Sequence, residues 1–423
     1  MSKKKVILVG PVLNISGYSD HARIVANSLL EMDSSVDLYI LPTQWANSST
    51  SLSYEKMYAP LIRKTQLLLA NSKDENNNVT INEVFDISIQ VKPPNEFEKM
   101  ADINIGITAA LETTFAPEIW IDKCNAMDHI IVPSEHCRKN LKNAKSGLGS
   151  RISTPISVIP HSYNPKIEKE NVYENIEFET SFNFLSMFQL APRKNYEFML
   201  KCFLEEFKDD EDVGLVIKSH ALNNSTLDFF YVKQRFEQLI NMFCPERKCK
   251  VYITHGNLSE GQIQGYYDKD VINCYITTAH GEGFGIPLLH ASCNDIPIIA
   301  PAWSGYLDFL RMPVKNRAGK LKIESKFLKV DYKVDKVREP HLMPDLITPE
   351  CEWAYPDEAS FKKNLRKIKN NHKPHAADAE QLGEHNREKF SLLNVVKMYQ
   401  ECFSKKLLDA SFTDEISNEI VEL

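Results

Sequence analysis

The sequence lacks the features that mark membrane, disulfide-bonded and zinc-binding proteins. No apolar stretch approaches the roughly 20 residues that a membrane-spanning helix needs. The nine cysteines stand singly without a CxxC pair, and the closest two, Cys244 and Cys249, have no second pair to complete a zinc cage. We therefore expect reduced, mostly buried thiols in a cytoplasmic protein.

An excess of charge of either sign is also missing. The 423 residues include 50 Lys and Arg against 57 Asp and Glu, a formal net charge of -7. The basic excess that holds a protein on nucleic-acid phosphates is absent, so no nucleic-acid partner is expected. Hydrophobic residues make up 43%, too many for a disordered chain. The length predicts two domains, each with its own core.

The first residues have no signal-peptide cleavage site. Three lysines at positions 3–5 precede the apolar run 6–9, as in a signal peptide, but no small-x-small site follows. A buried first strand explains this run better.

Short apolar runs alternate with helical patterns along the chain. In the first half, strands are predicted at 5–9, 36–41, 87–91, 103–108, 129–132 and 156–159. Asp20 is a good N-cap for the first helix, and Ser134 for a helix at 136–145. Strands that alternate with helices form right-handed βαβ units and a parallel sheet covered on both faces.

A second series of the same kind follows a charge-rich segment. Its predicted strands are 182–187, 213–218, 250–254, 271–277 and 296–300, with helices at 195–207 and 229–243. The region 311–350 reads as an irregular excursion with short strands, and an amphipathic helix at 392–408 precedes an acidic tail. Ligand crevices of such sheets lie at the carboxyl ends of the strands.

The segment HGEGFGIPLLHA at 280–291 is the most informative. It follows a predicted strand, and Pro287 suits the first turn of a helix, whose free N–H groups attract an anion. Glu282 places a carboxylate in the loop, where it can accept hydrogen bonds from sugar hydroxyls. Tight packing alone could explain glycines here, but not the glutamate among them. The glycines, which permit close backbone approach to a ligand, are Gly281, Gly283 and Gly285.

Together with DIPIIA at 295–300, this segment resembles the nucleotide-sugar signature of glycosyltransferase family 4, which has the GT-B fold. The family pattern is Glu, seven residues, Glu. Glu282 matches the first, which implies contact with the donor sugar. His290 stands where the second glutamate holds the ribose, and it can donate or accept one such hydrogen bond. A helix histidine satisfied by a backbone carbonyl is the alternative.

The segment FLSMFQLAPRKN at 184–195 resembles the family element whose Arg and Lys clamp the donor diphosphate. Lys194 matches the lysine, Gln189 replaces the arginine, and Arg193 could supply the missing charge. Such cations stabilise the departing diphosphate. Without the resemblance, Arg193 and Lys194 would be a solvated helix start, although their charge opposes the helix dipole.

In the first half, residues 10–20 occupy the place of the family's glycine loop. Gly17 is the expected close-approach residue, and Ser16 a candidate hydroxyl contact to phosphate or acceptor. The loop is not a GxGxxG fingerprint, which argues against a dinucleotide oxidoreductase. The segment 104–140 resembles the family's first-domain core, and within it Glu112 is our candidate for the acidic residue near the reacting sugar. A helix-cap role for Glu112 is the competing interpretation.

The resemblance implies an α/β protein with the GT-B fold, in which two Rossmann-like, doubly wound parallel-sheet domains face each other across a cleft. The expected divisions are an acceptor-side domain at 1–165, a linker at 166–180, a nucleotide-sugar domain at 181–390, and a crossover helix with the acidic tail at 391–423.

The implied reaction is retaining sugar transfer from a UDP- or GDP-sugar to a glycan, lipid-linked or small-molecule acceptor, without cofactor or metal. Any membrane contact would be peripheral. The donor phosphates are expected at Gly283, Phe284 and Gly285. The acidic run at 209–212 reads as solvated surface and not as a metal site. A catalytically silent nucleotide-sugar binder and a nucleotide-sugar epimerase remain the alternatives.

Overall fold

The computed structural model describes residues 3–72, 84–174, 176–316 and 319–408. The predicted acidic tail lies outside these residues. Within them, two six-stranded sheets lie one after the other along the chain, and every strand pair in both sheets is parallel. The predicted pair of doubly wound parallel sheets is confirmed.

The strands of the first sheet are β1 (Lys4–Gly10), β2 (Val36–Pro42), β3 (Ile87–Val91), β4 (Ile103–Ile107), β5 (His129–Val132) and β6 (Ile156–Val158). Their order across the sheet is β2-β1-β3-β4-β5-β6. The central strand β3 is buried along its whole length, as expected for a parallel sheet covered on both faces. The helices of this half are α1 (Gly17–Leu30), α2 (Leu52–Asn71), α3 (Ile119–Asn125) and α4 (Glu135–Asn143).

The first helix begins earlier than predicted. Ser16, and not Asp20, is its N-cap, because the Ser16 hydroxyl accepts a hydrogen bond from the Ser19 N–H at 3.2 Å. Asp20 instead lies in the first turn, where its carboxylate pairs with Arg23. The predicted cap of α4 is confirmed, since the Ser134 hydroxyl accepts from the Cys137 N–H.

The strands of the second sheet are β7 (Phe182–Gln189), β8 (Val213–His220), β9 (Lys250–Thr254), β10 (Cys274–Ile276), β11 (Ile298–Pro301) and β14 (Leu328–Val330). The helices of this half are α5 (Tyr196–Glu206), α6 (Thr226–Phe243), α7 (Glu260–Gly265), α8 (Ile286–Cys293), α9 (Glu358–Asn370) and α10 (His372–Lys389). The order of the strands across the sheet is β14-β11-β10-β7-β8-β9. Helices α5, α6 and α9 cover one face, while α8 and α10 pack into the core on the other.

Strand β10 is shorter than the sequence predicts. The N–H groups of Val271 and Ile272 bond to the carbonyl of Asp268 in a turn, so the first residues of the predicted run do not join the sheet. The region 311–350, predicted as irregular with short strands, contains an antiparallel ribbon of β12 (Arg311–Lys315) with β13 (Leu321–Ser325). A second antiparallel ribbon joins β15 (Tyr332–Lys336) to β16 (Glu352–Pro356), which lies just beyond this region.

The chain returns to the first half at its last described helix, α11 (Leu392–Leu408), whose bounds are those predicted. Val395, Tyr399 and Phe403 of α11 pack into the core beneath the first sheet, together with α1. Helices α2, α3, α7, α9 and α10 were not predicted. In α2 only Tyr58 and Thr65 are buried, so its sequence carries little helical periodicity.

Candidate active site

The loop that follows β10 holds Glu282 in a fixed backbone position. The Ser304 hydroxyl lies 2.6 Å from the Glu282 N–H and 2.7 Å from the Glu282 carbonyl, and the Gly305 N–H donates to the same carbonyl. Ser304 has a φ of 88°, a left-handed conformation that is uncommon for a residue with a side chain. The loop after β11 therefore fixes the backbone from which the Glu282 carboxylate projects.

Two cations meet that carboxylate. Lys194 Nζ lies 2.5 Å from Glu282 Oε1, and Arg193 Nη1 lies 3.0 Å from Glu282 Oε2. Both come from the turn after β7, which ends at Asn195 in the left-handed region. The Asn195 side chain donates to the Thr278 carbonyl, and the Thr278 hydroxyl donates back to the Asn195 carbonyl. This exchange ties the turn after β7 to the loop after β10.

Arg193 also reaches the first half of the chain. Its Nη2 lies 3.1 Å from Oε1 of Glu112, which follows β4. Glu112 precedes α3 by several residues and caps no helix, so the helix-cap interpretation is wrong. We call the four side chains Glu112, Arg193, Lys194 and Glu282 the charge cluster; sequence reasoning named all four but not their mutual pairing.

The cluster is buried enough for its charges to act on one another. Burial raises the pKa of Glu282, but Lys194 and Arg193 more than offset this and bring it down to about 2. Burial, with the neighbouring Arg193, lowers the pKa of Lys194. The side chains of Lys194 and Glu282 are 17% and 12% exposed, which contradicts the interpretation of Arg193 and Lys194 as a solvated helix start. Gln189 lies outside this group, since its amide donates to the Ala221 carbonyl.

The glycines of the loop make room for protein backbone. A Cβ at Gly281 would lie 2.5 Å from the Glu112 carbonyl oxygen, and one at Gly283 would lie 2.8 Å from that of Ala109. The Ser134 hydroxyl donates to the Gly283 carbonyl at 2.5 Å. At Gly281 and Gly283 the backbone therefore lies close to the first half of the chain. From the sequence we had expected these glycines to lie close to a ligand instead.

Gly285 differs from the other two glycines. It has a φ of 94° and is the N-cap of α8, so its backbone conformation requires glycine. Pro287 lies in the first turn of α8, as predicted. Gly17, near the start of α1, faces this point, because a Cβ there would lie 3.4 Å from Ile286 Cδ1. The first turns of α1 and α8 thus meet across the two halves, while the Ser16 hydroxyl is engaged in capping α1.

The Phe284 side chain does not face a ligand site. It is 3% exposed and packs against His161, Phe309 and Phe390, with ring centroids 5.0–6.2 Å apart. The expectation of a donor contact at Phe284 is therefore wrong for its ring, which belongs to the core.

His290 forms a side-chain contact in place of the backbone bond that we considered. Its Nδ1 lies 3.1 Å from the Gln264 amide nitrogen, and its ring meets the edges of Tyr163 and Tyr267. Burial lowers the pKa of His290 to about 4, so the ring is neutral near pH 7. A neutral imidazole whose Nδ1 accepts from an amide carries its hydrogen on Nε2, which makes Nε2 a donor.

Two further histidines lie near this junction. His161, 5% exposed, has an Nδ1 without a hydrogen-bond partner among the described residues, and its ring lies 4.6 Å from that of His21. His21 Nε2 in turn lies 2.5 Å from the hydroxyl oxygen of Tyr399 on α11. The sequence places His161 at the Pro-His-Ser turn that ends the first half, but nothing in the sequence links it to His21.

We also looked for metal sites and membrane-spanning helices among the described residues. In the ranges that the structure covers, no group of three or more His, Cys, Asp or Glu is arranged to hold a metal ion. Asp210 and Asp212 of the acidic run pair with Arg366 and Lys369. None of the described helices has the length and apolar character to cross a bilayer. Eight of the nine cysteines are buried, as expected.

Comparison with solved structures identifies the fold of this chain. No protein-family profile and no curated protein sequence matches the chain. Sucrose-phosphate synthase from Thermosynechococcus elongatus is 13% identical, with 96% of this chain and 99% of that chain covered and a TM-score of 0.61. Anabaena HepE in complex with UDP-glucose is 11% identical, with 95% and 100% covered and a TM-score of 0.61. The fold is GT-B.

A third GT-B structure gives the same picture. The α,α-trehalose 6-phosphate synthase of Burkholderia multivorans is 10% identical, with 96% of this chain and 98% of that chain covered and a TM-score of 0.55. In this GT-B chain, the charge cluster lies at the carboxyl ends of β7 and β10, at the contact between the two halves.

Proposed function

We propose that this chain is a glycosyltransferase of the family 4 type, which moves a sugar from a UDP- or GDP-sugar to a hydroxyl acceptor with retention of anomeric configuration. One observation carries the proposal: Lys194 and Arg193 converge on Glu282 at the carboxyl ends of parallel strands, where open α/β sheets bind their ligands. The similarity to HepE, whose structure contains UDP-glucose, supports this choice of donor.

The two cations are the proposed diphosphate ligands. A donor diphosphate carries about two negative charges, which the ammonium of Lys194 and the guanidinium of Arg193 would match without a metal. The first turn of α8, which begins after Gly285, adds a helix dipole of the favourable sign. Gly17, opposite it, would bring the backbone of the first half close to the same phosphates.

Binding of the donor would change the partners of Lys194. The two donor phosphates compete with the Glu282 carboxylate for Lys194 and Arg193, because phosphates and carboxylate are all anions that would lie near these two cations. We propose that the diphosphate takes Lys194 and Arg193, and that Glu282 turns to accept hydrogen bonds from the donor sugar hydroxyls. The charge cluster therefore holds the cations in place until a phosphate replaces the carboxylate.

The proposed chemistry is stabilisation of the leaving group. Negative charge builds up on the diphosphate as the glycosidic bond breaks, and fixed positive groups lower the energy of that transition state. Glu112, which shares the Arg193 guanidinium with Glu282, is the proposed acidic group near the reacting sugar. The acceptor, a glycan, lipid-linked or small molecule, would enter over the first half, and its hydroxyl would attack on the face that the diphosphate leaves. The new bond joins the acceptor oxygen to the anomeric carbon, the bond from that carbon to the diphosphate oxygen breaks, and the hydroxyl proton passes to the departing diphosphate.

A catalytically silent nucleotide-sugar binder is the second candidate. Two observations favour it: the Gln189 amide is bonded to the Ala221 carbonyl, away from the cluster, and His290 replaces the ribose-binding carboxylate. Gln189 in place of the arginine removes a cation that would stabilise the departing diphosphate, so turnover could be lost while Lys194 and Arg193 still bind the donor.

Incubation with labelled UDP- and GDP-sugars and a panel of acceptors tests the proposal. Transfer, or slow donor hydrolysis, that is lost in Lys194→Ala supports a transferase, and NMR of the product reports its anomeric configuration. Binding without turnover supports the silent binder, and a changed stereocentre in the recovered donor supports an epimerase. If calorimetry detects no binding of any of these donors or of UDP and GDP, the proposal is wrong.

A further inference from the structure

A cavity of about 1030 Å³ lies beside the first turns of α5 and α6, at the carboxyl ends of β7 and β8. Its opposite wall comes from the segment 338–356, where Arg338, His341 and Tyr355 line it. Lys194, Glu282 and His290 do not line it, but Pro192, Asn195 and His280 do, so the cavity adjoins the charge cluster without including its side chains. Its volume is at the upper end of the range for small-molecule sites.

One cationic side chain in the described lining of this cavity is available to a ligand. Arg338 is exposed, with its guanidinium carbon 5.1 Å from the centre of the Tyr355 ring, and it forms no ion pair or side-chain hydrogen bond with any described residue. The two carboxylates in the lining already have partners within the protein. Glu197 pairs with Arg235, and Asp228 accepts from His255 at 2.9 Å and from three backbone N–H groups. A ligand with a negative group is therefore favoured.

One buried side chain in the lining still needs a hydrogen-bond donor. His280 is 6% exposed, and its Nδ1 lies 2.6 Å from the Ala354 carbonyl, which fixes the hydrogen on Nδ1. Burial lowers the pKa of His280 to about 4, so the ring is neutral near pH 7. Its Nε2 is then an acceptor, and it forms no hydrogen bond within the described part of the chain. A ligand hydroxyl would satisfy it.

The remaining surface is aromatic and apolar. Tyr196, Tyr231 and Tyr355 contribute rings to the lining, and Leu222 and Leu227 are exposed at its edge. Such a wall packs against the C–H face of a sugar ring, while the ring hydroxyls reach polar groups around it.

We propose that this cavity is a second small-molecule site, which binds an anionic carbohydrate apart from the donor site. Arg338 binds the anionic group, His280 accepts from a hydroxyl, and the tyrosines contact the sugar ring. A phosphate and a carboxylate would both satisfy Arg338. The inference uses no side chain of the charge cluster, although the His280 N–H donates to the Arg193 carbonyl, so the two sites share a loop.

Calorimetric titration of the full chain with glucose 6-phosphate, glucuronate, glucose and inorganic phosphate tests this site. We expect saturable binding of glucose 6-phosphate or glucuronate, weakened at least about tenfold in Arg338→Gln and in Tyr231→Ala. The matched control is Lys336→Gln, because Lys336 is an exposed base on β15 near Arg338 that does not line the cavity. The titration is repeated with saturating UDP, which should leave the affinity unchanged.

A higher affinity for glucose 6-phosphate than for glucuronate identifies the ligand as a sugar phosphate, and a higher affinity for glucuronate identifies it as a sugar acid. Either result supports the site. Absence of saturable binding of either anionic sugar would overturn the proposal. If glucose binds as tightly as the anionic sugars, Arg338 does not bind an anionic group of the ligand. If inorganic phosphate binds as tightly as glucose 6-phosphate, the cavity does not recognise the sugar ring. A loss in Lys336→Gln as large as in Arg338→Gln, or competition by UDP, would also contradict it.

Discussion

The Arg193 guanidinium lies 3.1 Å from the Glu112 carboxylate, and this ion pair joins the two halves of the molecule. The same guanidinium binds Glu282 through its other nitrogen, so one side chain couples the proposed sugar-binding carboxylate to the opposite domain. A ligand that displaces Glu112 from Arg193 would therefore break this contact between the domains.

Loss of the Lys194 ammonium should weaken donor binding. We expect Lys194→Ala to raise the Kd for UDP-sugars, or for GDP-sugars if those are the donors, by about 10- to 100-fold, because a partly buried cation no longer meets the diphosphate. Isothermal titration calorimetry measures this. The control is Lys201→Ala on α5, since Lys201 forms ion pairs with Glu205 and Glu358 at the surface. Equal donor affinity in Lys194→Ala and the wild type would exclude Lys194 from the site.

Neutralising Glu282 should separate turnover from nucleotide binding. In Glu282→Gln we expect sugar transfer to fall about 100-fold, a size typical of losing one polar contact to the transition state. The affinity for UDP or GDP alone should be equal or higher, because the amide does not compete with the phosphates for Lys194. Transfer assays and calorimetry on the same preparation check both parts. Weaker nucleotide binding with unchanged transfer would contradict the partner exchange that we propose.

Breaking the interdomain ion pair should loosen the loop after β10. Glu112→Gln removes one charge from the Arg193 pair while it preserves side-chain volume, so we expect faster hydrogen exchange at residues 280–285. The matched control is Glu118→Gln, a carboxylate in the same half that makes no ion pair with another described residue. If exchange in this loop is the same for Glu112→Gln and Glu118→Gln, the ion pair does not hold the loop.

Adding a methyl group at the domain contact should destabilise the protein. In Gly281→Ala the new Cβ would meet the Glu112 carbonyl at 2.5 Å, and backbone cannot yield as a flexible side chain can. We expect a loss of about 1–3 kcal/mol in the free energy of unfolding. Gly147→Ala is the control, since nothing lies within 4 Å of a Cβ there. Urea denaturation of both variants measures the difference, and similar midpoints would show that the contact can relax.

Acid should destabilise the protein through its buried histidines. Burial lowers the pKa of His21 to about 4 and, together with His21 and His290, lowers that of His161 well below its usual value. Between about pH 6.5 and pH 4 the unfolded chain binds protons that the folded chain does not, so the free energy of unfolding falls as the pH falls. For His21 the limiting loss is about 3 kcal/mol.

Urea denaturation at pH 7, 6 and 5 measures this dependence. We expect His21→Gln to show a shallower fall than the wild type, whatever its stability at pH 7. His375→Gln, which changes a partly exposed histidine on α10, should keep a slope closer to the wild type. A slope for His21→Gln equal to that of the wild type would show that His21 does not contribute.

Much of the secondary structure could be predicted because its causes are local. The strands β3, β5 and β9 and the helix α11 have the predicted bounds, since each is a run of one periodicity with clear ends. The Ser134 cap needed only a serine before a helical pattern. Prediction failed where two local signals competed, as with Ser16 and Asp20, and where the helix pattern was weak, as in α2.

The candidate site was predicted as a set of residues and not as an arrangement. Glu282, Lys194, Arg193 and Glu112 follow from residue type and from the resemblance to family 4. Their pairing does not, because Arg193 and Glu282 are 89 positions apart and meet only once β7 and β10 lie in one sheet.

The sequence by itself determined the alternation of strands and helices and the residue types at the carboxyl ends of the strands, because hydrophobic period acts over a few neighbours. The tertiary structure alone decided that Gly281 and Gly283 press against the first half, that Phe284 turns into the core, and that Arg193 joins two domains. Each of these contacts joins segments that are far apart in the sequence, and only the packing of the whole chain brings such segments together.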